Sequence, residues 1–317
     1  MTNKKELFFD VIILGSGPAG FSAAIYASRG NLKTAIIDIS MFGGQPSNYL
    51  EIENYPGFSL IGGFELMEKF EEHADKFGVE KFEMVEIERV TLNSELKEIE
   101  TNDTIFKAKS VIIATGAQAK KLGIPGEEEF KGRGVSYCAI CDGAFYKEKT
   151  VAVVGGGNSA IEEAIYLTKF AQKVYVVHRR DELRADKICQ QRALENEKIE
   201  FILSHSPVEI KGTNTVETLI LKDLKTNGTK ELEVNGVFPY IGFGPNVENF
   251  NGQLQQNQQG FIETDTNMQT SIEGVYAAGD VRNTPLRQVI TAASDGAIAA
   301  CSAVKYVEAL TEQKEKV

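Results

Sequence analysis

The chain has 317 residues, 42% of them hydrophobic, and a formal net charge of −11. That length accommodates two domains, each with its own core. An acidic balance without any block of like charge excludes a nucleic-acid backbone and an anionic membrane as expected partners.

The opening stretch "MTNKKELFFDVIILGSGPAG" turns apolar after its lysines, but Asp10 interrupts the run and glycines end it. It is too short for a signal peptide or a membrane span and reads as a buried first strand. Without an export signal the expected compartment is the cytoplasm. There, structural disulfides are rare, and a close cysteine pair points to metal binding or redox work.

From residue 9 to 38 the pattern is strand "FDVIIL", turn "GSGPAG", helix "FSAAIYASRG" and strand "KTAIIDI". This β-α-β unit is the setting a GxGxxG turn requires. Its glycines, Gly15, Gly17 and Gly20, allow a tight turn and let a pyrophosphate approach N–H groups at the start of a helix. Asp38, at the end of the second strand, can accept from both ribose hydroxyls and would repel a 2′-phosphate, which suits FAD or NAD.

Next comes "YCAICDGAF", with Cys138 and Cys141 two residues apart and Asp142 directly behind. Half a zinc site, a structural staple and a dithiol–disulfide pair are the three readings. A structural zinc takes four ligands; there is no second CxxC, and His73, His178 and His205 are scattered. The expected compartment weakens the staple. The spacing lets one thiolate attack a substrate disulfide while the other resolves the mixed disulfide. The competing reading of Asp142 is an ordinary N-cap to the following segment. The other cysteines, Cys189 in "ADKICQQRALE" and Cys301 in "AIAACSAV", fall in helical contexts and are expected to be small buried residues with inert thiols.

Residues 150 to 178 repeat the first unit at a constant offset: Gly155 matches Gly15, Gly157 matches Gly17, Ala160 matches Gly20, and His178 replaces Asp38. "HRRDELR" follows, placing Arg179, Arg180 and Arg184 where a 2′-phosphate would lie. Two charge-assisted bonds at ~1.5–3 kcal/mol each would favour NADP over NAD by ~10²-fold or more. The competing reading is a solvated basic loop paired with Asp181 and Glu182. Two dinucleotide units in one chain point to electron transfer between a nicotinamide and a flavin. Near the C-terminus, "GVYAAGDVRNTPLRQV" ends an apolar strand in Gly279-Asp280 and opens a helix near Arg287. A strand-end Asp in that place can hold a polyol hydroxyl of FAD.

Together "GSGPAG", "GGQ" at 43 to 45, "ENYPG" at 53 to 57, "ATGA" at 114 to 117, "KGRGVSYCAICDG", "GGGNSA", "HRRDELRA" and "GVYAAGD" with "RQ" resemble the bacterial-type, low-molecular-weight thioredoxin reductases. The resemblance implies an α/β protein of two doubly wound dinucleotide-binding domains. An FAD domain made of residues 1–117 and 247–317 would enclose an NADPH domain, 118–246, that carries the CxxC. The flavin contacts it implies fall on Gly15, Ser16, Gly17, Pro18, Ala19, Gly20, Asp38, Gly43, Gly44, Gln45, Asn54, Thr115, Gly116, Gly279, Asp280, Arg287, Gln288 and Val289. Val289 stands where the family often has alanine, and "PSNYLEI" is divergent. NADPH contacts fall on Gly155, Gly157, Asn158, Ser159, Ala160, Glu162, His178, Arg179, Arg180 and Arg184.

Cys138 and Cys141 would then be the redox-active pair, with Cys141 facing the flavin and Asp142 transferring protons. The family further implies a homodimer, a rotating NADPH domain, and thioredoxin or a thioredoxin-like protein as substrate. Two alternatives remain: a flavin-binding redox sensor, and a reductase of another protein disulfide such as a peroxiredoxin partner. The flavoprotein subunit of alkyl hydroperoxide reductase carries an additional N-terminal domain and lacks the paired arginines. Related ferredoxin-NADP oxidoreductases lack the CxxC, and a ferredoxin-driven thioredoxin reductase has no need of "HRRDELR".

Overall fold

The computed structural model describes residues 4–49, 51–250 and 252–315; the side chains of Cys141 and of residues 313–315 lie outside that description. The chain forms two compact units, Met1–Gln118 with Gly244–Val317 (unit 1) and Ala119–Phe243 (unit 2). In chain order, unit 1 contributes β1 (Lys5–Leu14), α1 (Pro18–Arg29), β2 (Thr34–Ile37), α2 (Gly63–Asp75), β3 (Glu80–Phe82), β4 (Ile87–Thr91), β5 (Lys97–Thr101) and β6 (Thr104–Ile113). The first crossing is β7 (Ala117–Ala119). Unit 2 holds α3 (Ala139–Asp142), β8 (Thr150–Gly155), α4 (Asn158–Leu167), β9 (Lys173–His178), α5 (Lys187–Leu194), β10 (Ile199–Leu203), β11 (His205–Gly212), β12 (Val216–Asp223), β13 (Thr229–Glu233) and β14 (Gly236–Tyr240). The return crossing is β15 (Phe243–Pro245), and unit 1 closes with β16 (Val275–Ala277) and α6 (Val289–Glu315).

The sheet of unit 1 runs β3-β2-β1-β6-β5-β4. β1 is parallel to both β2 and β6, and the register sets Leu14 beside Ile37 and Ile113. Three strand ends therefore finish level, just before the Gly15 turn. β6 is long enough to pair twice on its far side: residues 105–108 bond antiparallel to β5, and residues 111–113 bond parallel to β16. The continuous apolar run of β1 follows from burial on both faces. Val11 and Ile13 pack with Phe21, Ala24 and Ala300 on the helical side, while Ile12 and Leu14 pack with Val111, Leu92 and Phe250 on the other. Each of the Val, Ile, Leu and Phe side chains, fully withdrawn from water, contributes about 1.5–3 kcal/mol.

β1 begins at Lys5 rather than Phe9 because Lys5–Phe9 pair with Thr104–Ala108. α1 begins at Pro18, inside the glycine motif, since a proline in the first turn has its φ preset and no N–H to satisfy.

Unit 2 has a parallel sheet, β10-β9-β8-β14, and a separate antiparallel sheet, β11-β12-β13. Val151 and Val153 of β8 face α4 and the buried Phe238, whereas Ala152 and Val154 face Leu219 and Leu221 of the antiparallel sheet. Phe238 also meets Tyr146 edge-on, with ring centroids 5.2 Å apart. A Cβ at Gly236 would stand 2.3 Å from the Tyr146 ring, so that glycine admits the tyrosine to the core.

Phe238→Ala is expected to cost unit 2 about 3–5 kcal/mol. Urea unfolding followed by amide exchange in β8 and β14 measures it, and unchanged protection there would contradict this account of the core.

Candidate active site

In unit 1 the glycine turn is closed by backbone contact. Gly15 has φ +105°, and a Cβ there would lie 2.3 Å from the Ala114 carbonyl oxygen; a Cβ at Gly20 would lie 1.8 Å from the oxygen of Gly15. Gly17, at the N-cap of α1, has nothing within 4 Å of where its Cβ would be, and no side chain caps the helix. An open space thus adjoins uncapped N–H groups at the positive end of a helix dipole.

Ser16 is fully buried and donates to Asp38 Oδ2 through its N–H (2.7 Å) and its Oγ–H (2.5 Å). Asp38 Oδ1 accepts from the N–H (2.9 Å) and hydroxyl (2.8 Å) of Ser40. A carboxylate has about four lone-pair sites, so Asp38 is fully engaged by protein donors, two of them on the exposed Ser40. Gly43 N–H donates to Ser16 Oγ at 3.3 Å, and a Cβ on Gly44 (φ +63°) would approach Gly17 Cα to 3.0 Å. The GGQ loop therefore lies against the glycine turn.

Thr115 Oγ1 donates to Asn246 O at 2.7 Å, and Asn246 Nδ2 returns a bond to Thr115 O at 2.8 Å. The N–H of Asn246 also bonds the carbonyl of Gly116 at 3.0 Å. Gln45 makes a long 3.5 Å contact with Ala117 O, and Asn54 donates to Gln288 Oε1 at 3.0 Å, linking the ENYPG loop to the residue before Val289 and α6. Ala19 lies under Gly279, whose Cβ would come 3.0 Å from that of Ala19. Burial pushes the Asp280 carboxyl up to about 6; the charge of Arg287 opposes this and that of Asp295 adds to it. Arg287 lies 4.1 Å over the Phe261 ring, with its Nε buried and unpartnered among the described residues.

Unit 2 repeats the turn. A Cβ on Gly155 would fall 2.3 Å from Tyr240 O and 2.8 Å from the Cβ of Ala160, while Gly157, the N-cap of α4, again faces open space. A cleft of about 160 Å³ there is lined by Gly157, Asn158, Ser159, Ala160, Arg184 and Tyr240 among others. Asn158 accepts from Asp186 N–H at 2.7 Å and donates to its carboxylate at 2.8 Å.

The loop after β9 folds over the turn, with Arg184 N–H donating to Gly156 O at 2.6 Å. His178 is buried against Gly156, where a Cβ would meet its ring at 2.5 Å. Burial first, then Arg184, holds its imidazole below the ordinary range. Arg179, Arg180 and Arg184 are exposed and form no ion pair among the described residues. Asp181 is instead taken by Lys225 (2.8 Å) and by the Ser204 hydroxyl.

Cys138 is half-buried and disulfide-bonded; the side chain of Cys141 lies outside the described residues. Cys138 immediately precedes α3, and Asp142 N–H donates to its carbonyl at 3.2 Å. Asp142 stands at the N-cap of the 3-10 turn Gly143–Tyr146 but makes no capping bond.

Cys189 is free and buried, as its context implies, with its thiol 3.7 Å from Oε1 of the exposed Glu162. Cys301 is free but exposed, which corrects the expectation of a buried residue. α6 turns Ala299, Ala300 and Ala303 inward, leaving Ile298 and Cys301 on its outer face.

Three groups in or beside these sites have no motif. Glu163 is buried with Oε2 unpartnered among the described residues, and burial, then Glu162, raises its carboxyl to about 7. The Tyr240 hydroxyl accepts the Ala139 N–H at 2.9 Å. Asp295 accepts from Gly279 N–H at 3.2 Å.

The chain matches the pyridine nucleotide-disulphide oxidoreductase family over residues 9–296. A thioredoxin reductase of Bacillus subtilis is 50% identical over 309 residues, covering 97% of this chain and 98% of that one. A crystal structure of Lactococcus lactis thioredoxin reductase, in the FR conformation, is 47% identical with a TM-score of 0.91, covering 94% of this chain and 99% of that one. The thioredoxin reductase of T. acidophilum is 37% identical with a TM-score of 0.87, covering 94% and 98%.

The contrast between two glycines of the same turn predicts opposite outcomes. Gly15→Ala forces both a left-handed backbone and a clash, and is expected to cost about 1–3 kcal/mol; Gly17→Ala, facing open space, is expected to stay within about 0.5 kcal/mol. Thermal midpoints of the apoprotein check this. For Glu163 the native carboxyl, at about 7, lies above its ordinary 4.5, so the native state loses stability as pH rises from there through 7. Glu163→Gln should therefore raise the thermal midpoint at pH ~8 and leave it unchanged near pH ~4.

Proposed function

The chain belongs to the thioredoxin reductases of the pyridine nucleotide-disulphide oxidoreductase family, and on that premise we propose that it is an FAD-containing enzyme using NADPH to reduce thioredoxin. The balance is NADPH, one proton and a protein disulfide giving NADP⁺ and a dithiol. One observation carries the reading: in unit 2, the disulfide-bonded Cys138 shares a compact unit with an open glycine turn flanked by three exposed arginines that form no ion pair among the described residues.

Unit 1 fits FAD. The space at Gly17 and the uncapped start of α1 suit a pyrophosphate, and Ser16, Asp38 and Ser40 stand where an adenosine ribose would lie. Since Asp38 is saturated, a ribose diol would displace the exposed Ser40 donors. Asp280 and Arg287 offer an acceptor and an unsatisfied donor for the remainder of the flavin chain. When bound, FAD supplies a two-electron relay between nicotinamide and disulfide.

Unit 2 fits NADPH. Gly157 and the start of α4 receive the pyrophosphate, and Arg179, Arg180 and Arg184 receive the 2′-phosphate. His178, buried and held neutral, places the loop without adding charge. Cys138 and Cys141 would form the exchanging pair, with Asp142 moving the proton; that Cys141 would be the flavin-facing sulfur rests on the resemblance alone. The expected assembly is a homodimer in the cytoplasm, supported by the resemblance; no helix among the described residues is long and apolar enough to cross a membrane.

The test follows NADPH and NADH oxidation by the purified yellow protein with thioredoxin as acceptor. Cys138→Ser and Cys141→Ser should each lower turnover by at least ~10²-fold, and NADPH should be preferred over NADH by ~10²-fold, a preference that Arg179→Ala with Arg180→Ala removes. Wild-type rates in both cysteine variants would overturn the mechanism. Activity with a peroxiredoxin but not with thioredoxin would reassign the substrate.

A further inference from the structure

We propose that Asp295 is a positioning residue for the flavin site: from α6 it fixes the Gly279-Asp280 turn, and with Arg282 it forms the largely buried ion pair that holds this turn against the start of α1. The proposal rests on the reading that unit 1 binds FAD. Neither Asp295 nor Arg282 belongs to the motifs that carry the family resemblance.

The geometry converges on one carboxylate oxygen. Asp295 Oδ2 accepts from Gly279 N–H at 3.2 Å and from Arg282 Nη1 at 3.1 Å. Arg282 Nε in turn donates to Thr264 Oγ1 at 2.7 Å, and the Arg282 N–H donates back to Gly279 O at 3.3 Å. The two charged side chains are 12% and 11% exposed. A charge this far out of water needs its partner, and removing one member strands the other. Gly279, at φ +77°, is pressed on Ala19, so the turn that Asp295 grips is also in contact with the helix end that faces the pyrophosphate space.

The next residue explains how α6 comes close enough. A Cβ on Gly296 would stand 2.0 Å from Ala19 O. The Asp295-Gly296 step therefore does two things at once: the glycine admits α1, and the aspartate reaches across to the turn.

Asp295 also acts on Asp280 through space. Its charge and Arg287 are the ionic groups on or beside α6 that act on Asp280, while Arg282 lies on the turn itself and α1 presents Ala19 there. Burial raises the Asp280 carboxyl, Arg287 lowers it, and Asp295 raises it further. An ionised Asp280 accepts from polyol hydroxyls, so flavin affinity should fall as pH drops through its titration. Neutralising Asp295 should move that fall to lower pH.

The experiment measures FAD rebinding to full-length apoprotein by quenching of flavin fluorescence between pH ~5 and ~8, with NADP⁺ binding and circular dichroism recorded alongside. Asp295→Ala is expected to weaken FAD by about tenfold or more, leaving NADP⁺ affinity and the spectrum of the apoprotein unchanged. Asp295→Asn, which keeps an oxygen for Gly279 N–H, should recover part of the affinity and lose FAD at a lower pH than wild type. Wild-type FAD affinity in both variants overturns the proposal. So does weakened affinity with an unmoved acid limb in Asp295→Asn, which would leave the ion pair a purely structural one. A wild-type apoprotein that binds no FAD sinks the reading of unit 1 itself, and this proposal with it.

Discussion

The structure depends on two helices that start without a cap. α1 and α4 both begin at a glycine whose side-chain position is empty, and neither has a side chain bonded to its first-turn N–H groups. A missing cap costs a helix about 0.5–2 kcal/mol, so packing must hold these ends in place. α1 buries Pro18 to Ile25 and, past the exposed Tyr26, Ala27, and α4 buries Ala160, Ile161, Glu163, Ala164 and Leu167. What remains at each end is a set of fixed N–H dipoles facing open space, already ordered before an anion arrives. Pre-ordered dipoles cost nothing to reorganise when the charge binds.

The two ends differ where backbone distances differ. In unit 1 the helix approaches so closely that Gly20 leaves no room for a Cβ against Gly15 O, whereas in unit 2 Ala160 fits at the matching place. The strand-end residues diverge in function as well. Asp38 turns inward to the Ser16 end of the turn, and its carboxylate is consumed in ordering it. His178 packs beneath Gly156 as a neutral ring, and the basic residues after it are left facing solvent. One supersecondary unit thus presents a saturated carboxylate at one strand end and a buried imidazole followed by exposed basic residues at the other.

Much of this was legible in the sequence because it is local. The strand-turn-helix-strand order, the paired glycines and the arginines beyond His178 all lie within thirty-odd residues of one another, and periodicity with turn chemistry exposes them. Contacts across long separations were not legible. Asn246 bonds Thr115 from 131 residues away, and Tyr240 reaches Ala139 from 101. No motif marks Asp295 or Glu163; only tertiary packing turns them inward. Cys301 failed in the opposite sense, since a run of alanines gives no hint of which helix face is covered. A Glu–Glu pair or an Asp-Gly step within a helix is a faint signal of such sites, because both are unfavourable there without a tertiary reason.

Tyr240 shows how unit 2 holds its two chemistries in a fixed relation. It ends β14 in register with Gly155, so its backbone closes the glycine turn. Its ring forms part of the cleft beside Gly157, and its hydroxyl accepts the N–H of Ala139, the residue after Cys138. Below that segment, Tyr146 is locked between Gly236 and Phe238 of the same strand. The disulfide segment and the dinucleotide turn are therefore both referenced to β14. A rigid strand sets the positions of both the Cys138 segment and the glycine turn, so that neither has to be placed by a flexible loop.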